Sequence, residues 1–252
     1  MILRTPTFRL ILFSVVIIVM ALTTQQCSRS RQPRIVLWAW ERPENLEFIN
    51  PNEISVAFLA KTIQLRAEET IVKPRLQPLK FATGTELIAV ARIETERAAL
   101  SRAQLDKTVS AIALLAQQTK IRSIQIDFDA RESERQFYRD MLQSLRQQLP
   151  AEIQLSITAL ASWCIHDDWV SGLPINEAIP MLFRLGVERD EVRSYLTSGK
   201  AFRSRLCQNS LGVSTDESFP DMPATKADRI YVFNPQPWSA ASVNKVLKEW
   251  RQ

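Results

Sequence analysis

The chain has 252 residues, of which 46% are hydrophobic and 23% charged, and its formal net charge is +5. This composition is typical of a globular protein and argues against a disordered one. Lysine and arginine are scattered rather than grouped in a basic run with aromatic residues, which disfavours nucleic-acid binding. The sequence has no GxGxxG or GxxxxGK[ST] loop, no HExxH or CxxC spacing, and a single histidine, His166. We therefore expect neither a nucleotide nor a metal cofactor.

Residues 1–33 have the pattern of a targeting segment. Arg4 and Arg9 precede or border an apolar run over residues 10–22. The run fits either the core of a signal peptide or a membrane anchor that stays attached. Both alternatives export the body of the chain, residues 34–252, so we expect a periplasmic protein or one anchored to the cytoplasmic membrane and facing outward.

From residue 35 onward, short apolar runs alternate with helical patterns. Strands are predicted at 35–40, 54–59, 87–93, 121–129, 153–160, 178–183, 211–215 and 229–233. Helices are predicted at 98–117, 132–148, 189–203 and 240–250, and a small hairpin at 63–65 and 70–73. This order predicts an α/β fold, a (β/α)8 TIM-type barrel, with irregular first and second connections. An open doubly wound sheet is the alternative, but such sheets usually have a glycine-rich first turn, which is missing here.

The predicted fourth strand carries two carboxylates on one face. Isoleucine and phenylalanine alternate with Gln125, Asp127 and Asp129, which places both acids on the same face near the carboxyl end of the strand. In α/β proteins, functional residues gather at this end of the strands. We therefore expect both acids at the mouth of the barrel.

Acids after other strands are expected at the same mouth. The candidate catalytic residues are Glu94, Asp127, Asp129, Asp216 and Glu217. Glycoside hydrolysis needs a protonated carboxyl and an ionised one about 5–10 Å apart. The predicted strands four and seven face each other across such a barrel, which favours a pair drawn from both. A buried ion network of Arg92, Glu94 and Asp127 is the structural alternative.

Five of the six tryptophans lie at or just past predicted strand ends. Aromatic faces stack on the apolar faces of pyranose rings, which favours a carbohydrate ligand. We expect the protein to be a monomer. The candidate substrate-binding residues are Trp38, Trp40, Arg92, Trp163, Asn234 and Trp238. A hydrophobic lid over the barrel is the alternative interpretation of these tryptophans.

Cys164 and Cys207 would be able to pair in an exported protein. However, Cys164 follows predicted strand five at the mouth, whereas Cys207 precedes strand seven at the opposite end. A disulfide requires Cα atoms within about 7 Å of each other. We therefore expect two separate thiols.

The fourth strand resembles the motif of chitinase-like glycosidases, in which alternating acids lead to a catalytic glutamate. Asp127 and Asp129 match the two inner acids of that motif. Ile124 stands where the first aspartate would be, and Arg131 where the catalytic glutamate would be, with Glu132 one position later. The resemblance implies a carbohydrate-active barrel.

Five segments resemble a bacterial family of exported, glycosidase-like barrels described as a domain of unknown function. They are LWAWERP at 37–43, VARIE at 90–94, IDFD at 126–129, TALASWC at 158–164 and PMLFRLG at 180–186. The resemblance implies the barrel and export, and leaves the reaction open. Two functions are compatible with it: a glycosidase that uses carboxylate acid/base chemistry, and a non-catalytic barrel that binds a glycan or a partner at the cell envelope. A purely structural ionic core is a third interpretation.

Overall fold

The computed structural model of the protein describes residues 34–96, 98–217 and 227–250. The predicted targeting segment, residues 1–33, lies outside the described residues, so that segment and the domain boundary after it stay predictions. Within these three stretches, no helix combines the length and the apolar character needed to cross a membrane.

Eleven strands are described: β1 (Arg34–Ala39), β2 (Glu44–Leu46), β3 (Ile54–Arg66), β4 (Glu69–Pro74), β5 (Leu79–Phe81), β6 (Leu87–Thr95), β7 (Ile121–Asp127), β8 (Gln154–Leu160), β9 (Glu177–Met181), β10 (Ser210–Ser214) and β11 (Arg229–Phe233). All but β2, β4 and β5 form one closed parallel barrel in chain order. Strand β1 closes it by pairing with both β3 and β11. The predicted (β/α)8 barrel is thus confirmed, and the open sheet is excluded because an open sheet would leave two unpaired edges.

Five helices pack on the outside of the described barrel: α1 (Arg102–Ala113), α2 (Arg135–Gln148), α3 (Ala161–Ile165), α4 (Arg189–Thr197) and α5 (Ala240–Trp250). Helix α1 begins at Ser101, whose hydroxyl accepts from the Gln104 amide while the Gln104 side chain accepts from the Ser101 amide. Helix α2 buries Tyr138, Leu142 and Leu145, a spacing that directs one apolar stripe toward the barrel. Three-residue or four-residue 3₁₀ turns occur at Leu114–Gln117, Glu132–Glu134, Gly186–Glu188 and Arg205–Cys207.

The first two connections are irregular, as expected, but their details differ from the prediction. Strand β3 continues through the predicted first arm of the hairpin, because β6 offers it pairing partners as far as Thr95. A bulge between Leu59 and Lys61 shifts the register, and β4 then pairs with β3 antiparallel. Strands β2 and β5, which were not predicted, form a separate two-stranded sheet.

Two further elements differ from the sequence prediction. The helix predicted over 189–203 ends at Thr197, because Gly199 has a φ of +76° and its amide donates to the Leu196 carbonyl at 3.0 Å. The loop predicted after the fifth barrel strand contains the short helix α3.

The barrel interior is filled by side chains. The largest of its aromatic side chains is Trp38, which we call the plug because it closes the interior. Its ring centroid lies 5.4 Å from that of Tyr231, and its Nε1 donates to Gln125 Oε1 at 2.8 Å. Gly212 on β10 leaves the space for the indole, since a Cβ built there would lie 3.1 Å from the Trp38 ring. The interior is therefore closed at this level, and a ligand can be accommodated only above it.

Cys164 and Cys207 form a disulfide, with their Cα atoms 5.9 Å apart. The expectation of two separate thiols is wrong because α3 turns the chain back along the outside of the barrel directly after β8. The segment before β10 then passes beside α3, where the Arg203 amide donates to the Cys164 carbonyl at 2.9 Å. Both cysteines are fully buried.

Reduction of this disulfide is expected to lower the free energy of unfolding. The bond joins residues separated by 43 positions, and a loop of that length contributes about 2–4 kcal/mol through the restricted unfolded chain. Urea unfolding with and without reductant measures the difference. The double variant Cys164→Ser/Cys207→Ser is the control, because reductant should not change its curve. Coincident curves for the oxidised and reduced wild type would contradict the disulfide.

Candidate functional site

A cleft of about 470 Å³ opens at the carboxyl ends of the barrel strands. Its polar lining residues are Arg42, Arg92, Asp127, Asp129, Arg184 and Glu188, and its apolar lining residues are Trp40, Leu160, Ala161, Met181, Phe183, Leu185 and Phe233. These residues come from the ends of several strands and from the loops that follow them. This end of a (β/α)8 barrel is where such proteins build their functional sites.

Asp127, the last residue of β7, is a buried carboxyl group in the lining of the cleft, with 7% of its surface exposed. Thr158 Oγ1 on β8 donates to its Oδ1 at 2.7 Å, and Arg92 Nη1 on β6 donates to its Oδ2 at 3.3 Å. Burial raises the pKa of Asp127, and the lowering effects of Arg92 and Thr158 only partly offset this. Asp127 therefore holds a proton at higher pH than an ordinary aspartate.

Asp127 is one end of a row of polar side chains that crosses neighbouring strands. Arg92 Nε donates to Glu94 Oε1 at 3.1 Å, and Gln64 Nε2 on β3 donates to Glu94 Oε2 at 2.9 Å. The hydrogen bond from Gln64, helped by Arg92, lowers the pKa of Glu94. The ion network considered as a structural alternative is therefore present, and its members Arg92 and Asp127 also line the cleft.

Asp129 lies just past the end of β7 and is exposed in the cleft. Phe128 between the two acids points the other way, where its ring packs 5.0 Å from that of Tyr138 on α2. The Ala130 amide donates to the Phe128 carbonyl at 2.8 Å and turns the chain there. The predicted alternation thus places Asp127 and Asp129 in the same cleft.

Glu94, Asp216 and Glu217 were predicted as catalytic residues, but the described lining of the cleft does not include them. Arg184 Nη2 donates to Asp216 Oδ2 at 2.7 Å, and the Arg184 guanidinium also binds Glu217. Arg189 Nη2 donates to Glu217 Oε2 at 2.6 Å. These ion pairs tie Asp216 and Glu217 to the rim, so the expected pairing of strand-seven acids with Asp127 across the mouth is corrected.

Electrostatics also disfavour both rim acids as proton donors. A hydrogen bond from Ser214, followed by the one from Arg184, lowers the pKa of Asp216. Burial raises the pKa of Glu217, but its bonds from Arg184 and Arg189 outweigh that effect and lower it overall. Both groups are therefore held as carboxylates, whereas the general acid of a glycosidase must carry a proton.

Three of the four tryptophans predicted to bind substrate lie in the core instead. Trp38 fills the barrel interior, Trp163 packs edge-on against Trp169 with centroids 4.8 Å apart, and Trp238 Nε1 donates to the Trp38 carbonyl at 2.9 Å. Each is at most 5% exposed. Loops and helices cover these strand ends, so the indoles of the three tryptophans pack beneath the surface. Of the four predicted tryptophans, Trp40 lines the described cleft, as does Arg92 from the same predicted set.

Asn234 was also predicted to bind substrate, and the structure gives it a different position. It is buried, and its Oδ1 accepts from Thr215 Oγ1 at 2.5 Å. Its backbone carbonyl accepts from Arg42 Nη2 at 2.6 Å. Asn234 therefore joins the loops after β10 and β11 rather than facing the cleft.

An aromatic wall, defined here as Trp40, Phe183 and Phe233, takes the place of the predicted tryptophan platform. Phe183 and Phe233 stack in parallel with centroids 5.6 Å apart, and Trp40 meets Phe233 edge-on at 6.2 Å. The Arg92 guanidinium lies 5.6 Å from the centroid of Trp40, which connects the wall to the polar row. The predicted binding residues did not include the two phenylalanines, because phenylalanine is common in cores and its position at a strand end does not distinguish a ligand-binding ring.

A second depression lies beside the mouth, between the start of α1 and the start of α2. Arg131 lines it, and the Arg131 amide donates to Glu134 Oε2 at 2.8 Å. Glu134 is buried and also accepts from Thr95 Oγ1 at 2.6 Å. In the described residues, no group of three or more His, Cys, Asp or Glu side chains is arranged to hold a metal ion.

Comparison with known proteins supports the fold and its resemblance to a domain of unknown function. The family described as "Domain of unknown function (DUF3142)" matches residues 83–175, a segment that contains Arg92, Asp127 and Asp129. No curated protein matches the chain.

Two solved structures are similar to this chain. The spore cortex-lytic enzyme SleL of Bacillus cereus has a TM-score of 0.51 and 16% identity, and the match covers 86% of this chain and 58% of that chain. The chitinase domain of the spore coat protein CotE of Clostridium difficile has a TM-score of 0.45 and 11% identity, and the match covers 82% of this chain and 67% of that chain. The chain thus spans less than two thirds of SleL, and the likeness to SleL confirms the barrel fold alone.

The buried carboxyl of Asp127 predicts a pH-dependent difference between the wild type and Asp127→Asn. A carboxyl whose pKa is raised in the folded state stabilises the protein fully at a pH below its pKa in the unfolded state, about 3.9. This contribution is lost as the pH rises through the pKa of the folded state. Asparagine does not ionise. The free energy of unfolding of Asp127→Asn relative to the wild type should therefore increase with pH across that window.

Urea unfolding of both proteins between about pH 3 and pH 8 measures this difference. Asp228→Asn is the matched control, because Asp228 is exposed at the amino end of β11, away from the mouth. A difference for Asp127→Asn that stays constant or decreases with pH would contradict a raised pKa of Asp127.

Proposed function

We propose that this barrel is a glycosidase-like enzyme that binds a carbohydrate in the cleft and acts on it through Asp127 and Asp129. The observation that carries the proposal is the pairing of two unlike carboxyl environments in one open cleft. Asp127 is buried with a raised pKa, whereas Asp129, two residues on, is exposed. Glycosidases separate their acid and their second carboxylate by such differences in environment.

In this mechanism Asp127 is the general acid. Its proton passes to the glycosidic oxygen as the bond to the anomeric carbon breaks, which lets the leaving sugar depart as an alcohol. Arg92 and Thr158 fix the orientation of the Asp127 carboxyl by their hydrogen bonds. Asp129 supplies the second carboxylate, as a nucleophile toward the anomeric carbon or as a base toward water.

The cleft also has the features of a sugar site. Its volume of about 470 Å³ falls within the range of about 300–1,000 Å³ typical of small-ligand sites. The aromatic wall offers apolar ring surface to a pyranose, while the polar lining residues offer groups that bind hydroxyls. A lining that combines apolar rings with charged groups suits a sugar, which has apolar ring faces and polar hydroxyls.

We also propose that the protein acts outside the cytoplasmic membrane, in the periplasm or tethered by residues 1–33. The Cys164–Cys207 disulfide supports this location, because disulfides persist in oxidising compartments and are rare in the cytosol. The apolar run over residues 10–22 supplies the segment for export or tethering.

A non-catalytic glycan-binding barrel is the second candidate, and Arg131 favours it. This arginine stands where the chitinase-like motif has its catalytic glutamate, and it lines the neighbouring depression rather than the cleft. In that case Asp127 and Asp129 bind sugar hydroxyls without transferring a proton.

Replacement of Asp127 separates the two candidates. Asp127→Asn keeps the shape of the side chain but has no acidic proton, so the release of reducing ends from a panel of cell-wall glycans and glucans should fall about 10²–10⁴-fold. Asp129→Asn should show a comparable loss, and Asp228→Asn should match the wild type.

Glycan binding is measured in parallel on the same proteins. Binding without turnover by the wild type would establish the non-catalytic alternative. Turnover that is unchanged in Asp127→Asn would remove this residue from the mechanism.

A further inference from the structure

The cationic side chains that line the cleft are already paired with carboxylates. The pairs are Arg42 with Glu44, Arg92 with Glu94 and Asp127, and Arg184 with Asp216 and Glu217. Arg42 is also bound by three backbone carbonyls of the loop after β11. The arginines of the cleft therefore leave little positive charge uncompensated for an anionic ligand.

Two carboxylates of the cleft, by contrast, have no cationic partner among the described residues. They are Asp129, after β7, and Glu188, at the end of the 3₁₀ turn that follows β9. Neither forms an ion pair or a side-chain hydrogen bond with another described residue. Strand β8 lies between β7 and β9 in the barrel, so the two acids approach the cleft from either side of it.

The three arginines of the lining are paired with Glu44, Glu94, Asp216 and Glu217, which lie outside the lining. Asp129 and Glu188 are therefore the lining charges that have no counter-charge among the described residues. The aromatic wall lines the same cleft and adds apolar ring surface on which a sugar can pack. A carboxylate that lines an open cleft and has no cationic partner in the described part of the chain is best complemented by a ligand that brings a cation.

Building on the proposed carbohydrate site, we propose that its substrate is a glycan with free primary amines, that is, a de-N-acetylated amino sugar. The ammonium group at carbon 2 has three N–H donors, and such groups on successive sugars would bind Asp129 or Glu188 while the rings pack on the aromatic wall. An N-acetylated sugar would leave both carboxylates without a counter-charge and would place a bulkier neutral group against them.

A purely structural role for Glu188 gives a different expectation. Glu188 precedes α4, where a carboxylate complements the partial positive charge of a helix N-terminus. If that were its whole role, Glu188→Gln would lower thermal stability slightly and would change the affinity for charged and neutral sugars equally. Ligand preference therefore distinguishes the two roles.

The test compares glucosamine tetramer with N-acetylglucosamine tetramer, each titrated calorimetrically into the full chain at low ionic strength. The wild type should bind the glucosamine tetramer about tenfold more tightly, which corresponds to about 1.4 kcal/mol. Glu188→Gln should reduce that preference severalfold, Asp228→Asn should retain it, and added salt should weaken it.

The outcomes separate this inference from the function on which it rests. Equal or tighter binding of the N-acetylated tetramer would overturn the inference while supporting a carbohydrate site. An unchanged preference in Glu188→Gln would also overturn it. If the folded protein binds and cleaves neither tetramer nor any glycan of the wider panel, both the inference and the proposed function fail. Tight binding of a linear polyamine with no binding of glucosamine tetramer would reassign the cleft to a non-sugar cation.

Discussion

The site depends on one carboxyl group that is buried yet borders open space. Water is largely removed from Asp127, which disfavours its charged form, while Arg92 and Thr158 hold its two oxygens. The ion pair of Asp127 with the partly exposed Arg92 is weak evidence for stability, because desolvation of the buried carboxyl offsets much of the Coulomb attraction. The arrangement is better explained by function, since it places a proton-holding group at the base of a cleft.

The barrel creates that position by closing its own interior. Trp38, with Tyr231 beside it and Gly212 opposite, occupies the space beneath the mouth. Gln125 accepts the indole N–H, so the same strand that carries Asp127 also anchors the plug. Space for a ligand is consequently left only at the carboxyl ends of the strands, where the aromatic wall and the polar row meet.

The barrel and the placement of Asp127 and Asp129 could be predicted from the sequence because strand periodicity is local. Alternation along residues 121–129 fixes which side chains share a face, and chain order fixes the pairing. The partners of each side chain are not local. Trp163 and Trp238 were predicted at the mouth from their position after strands, but whether a side chain lies on or under a surface depends on what covers it.

The same limit explains the errors at the rim and at the cysteines. Asp216 and Glu217 follow their strand as expected, but Arg184, from a different loop, binds both of them. Cys164 and Cys207 seemed far apart when only strand ends were considered, and the short helix α3 brings them together. A five-residue helix carries too little periodicity to be recognised from sequence.

The central claim is that Asp127 holds a proton because its pKa is raised. Titration of the Asp127 carboxyl tests that claim most directly. Carbon-13 NMR of the side-chain carboxyl, assigned by the resonance that disappears in Asp127→Asn, follows ionisation at this single group. A titration midpoint above the ordinary aspartate value of about 3.9 is predicted. A midpoint at or below that value would show that the Arg92 ion pair outweighs burial, and would contradict Asp127 as the proton donor.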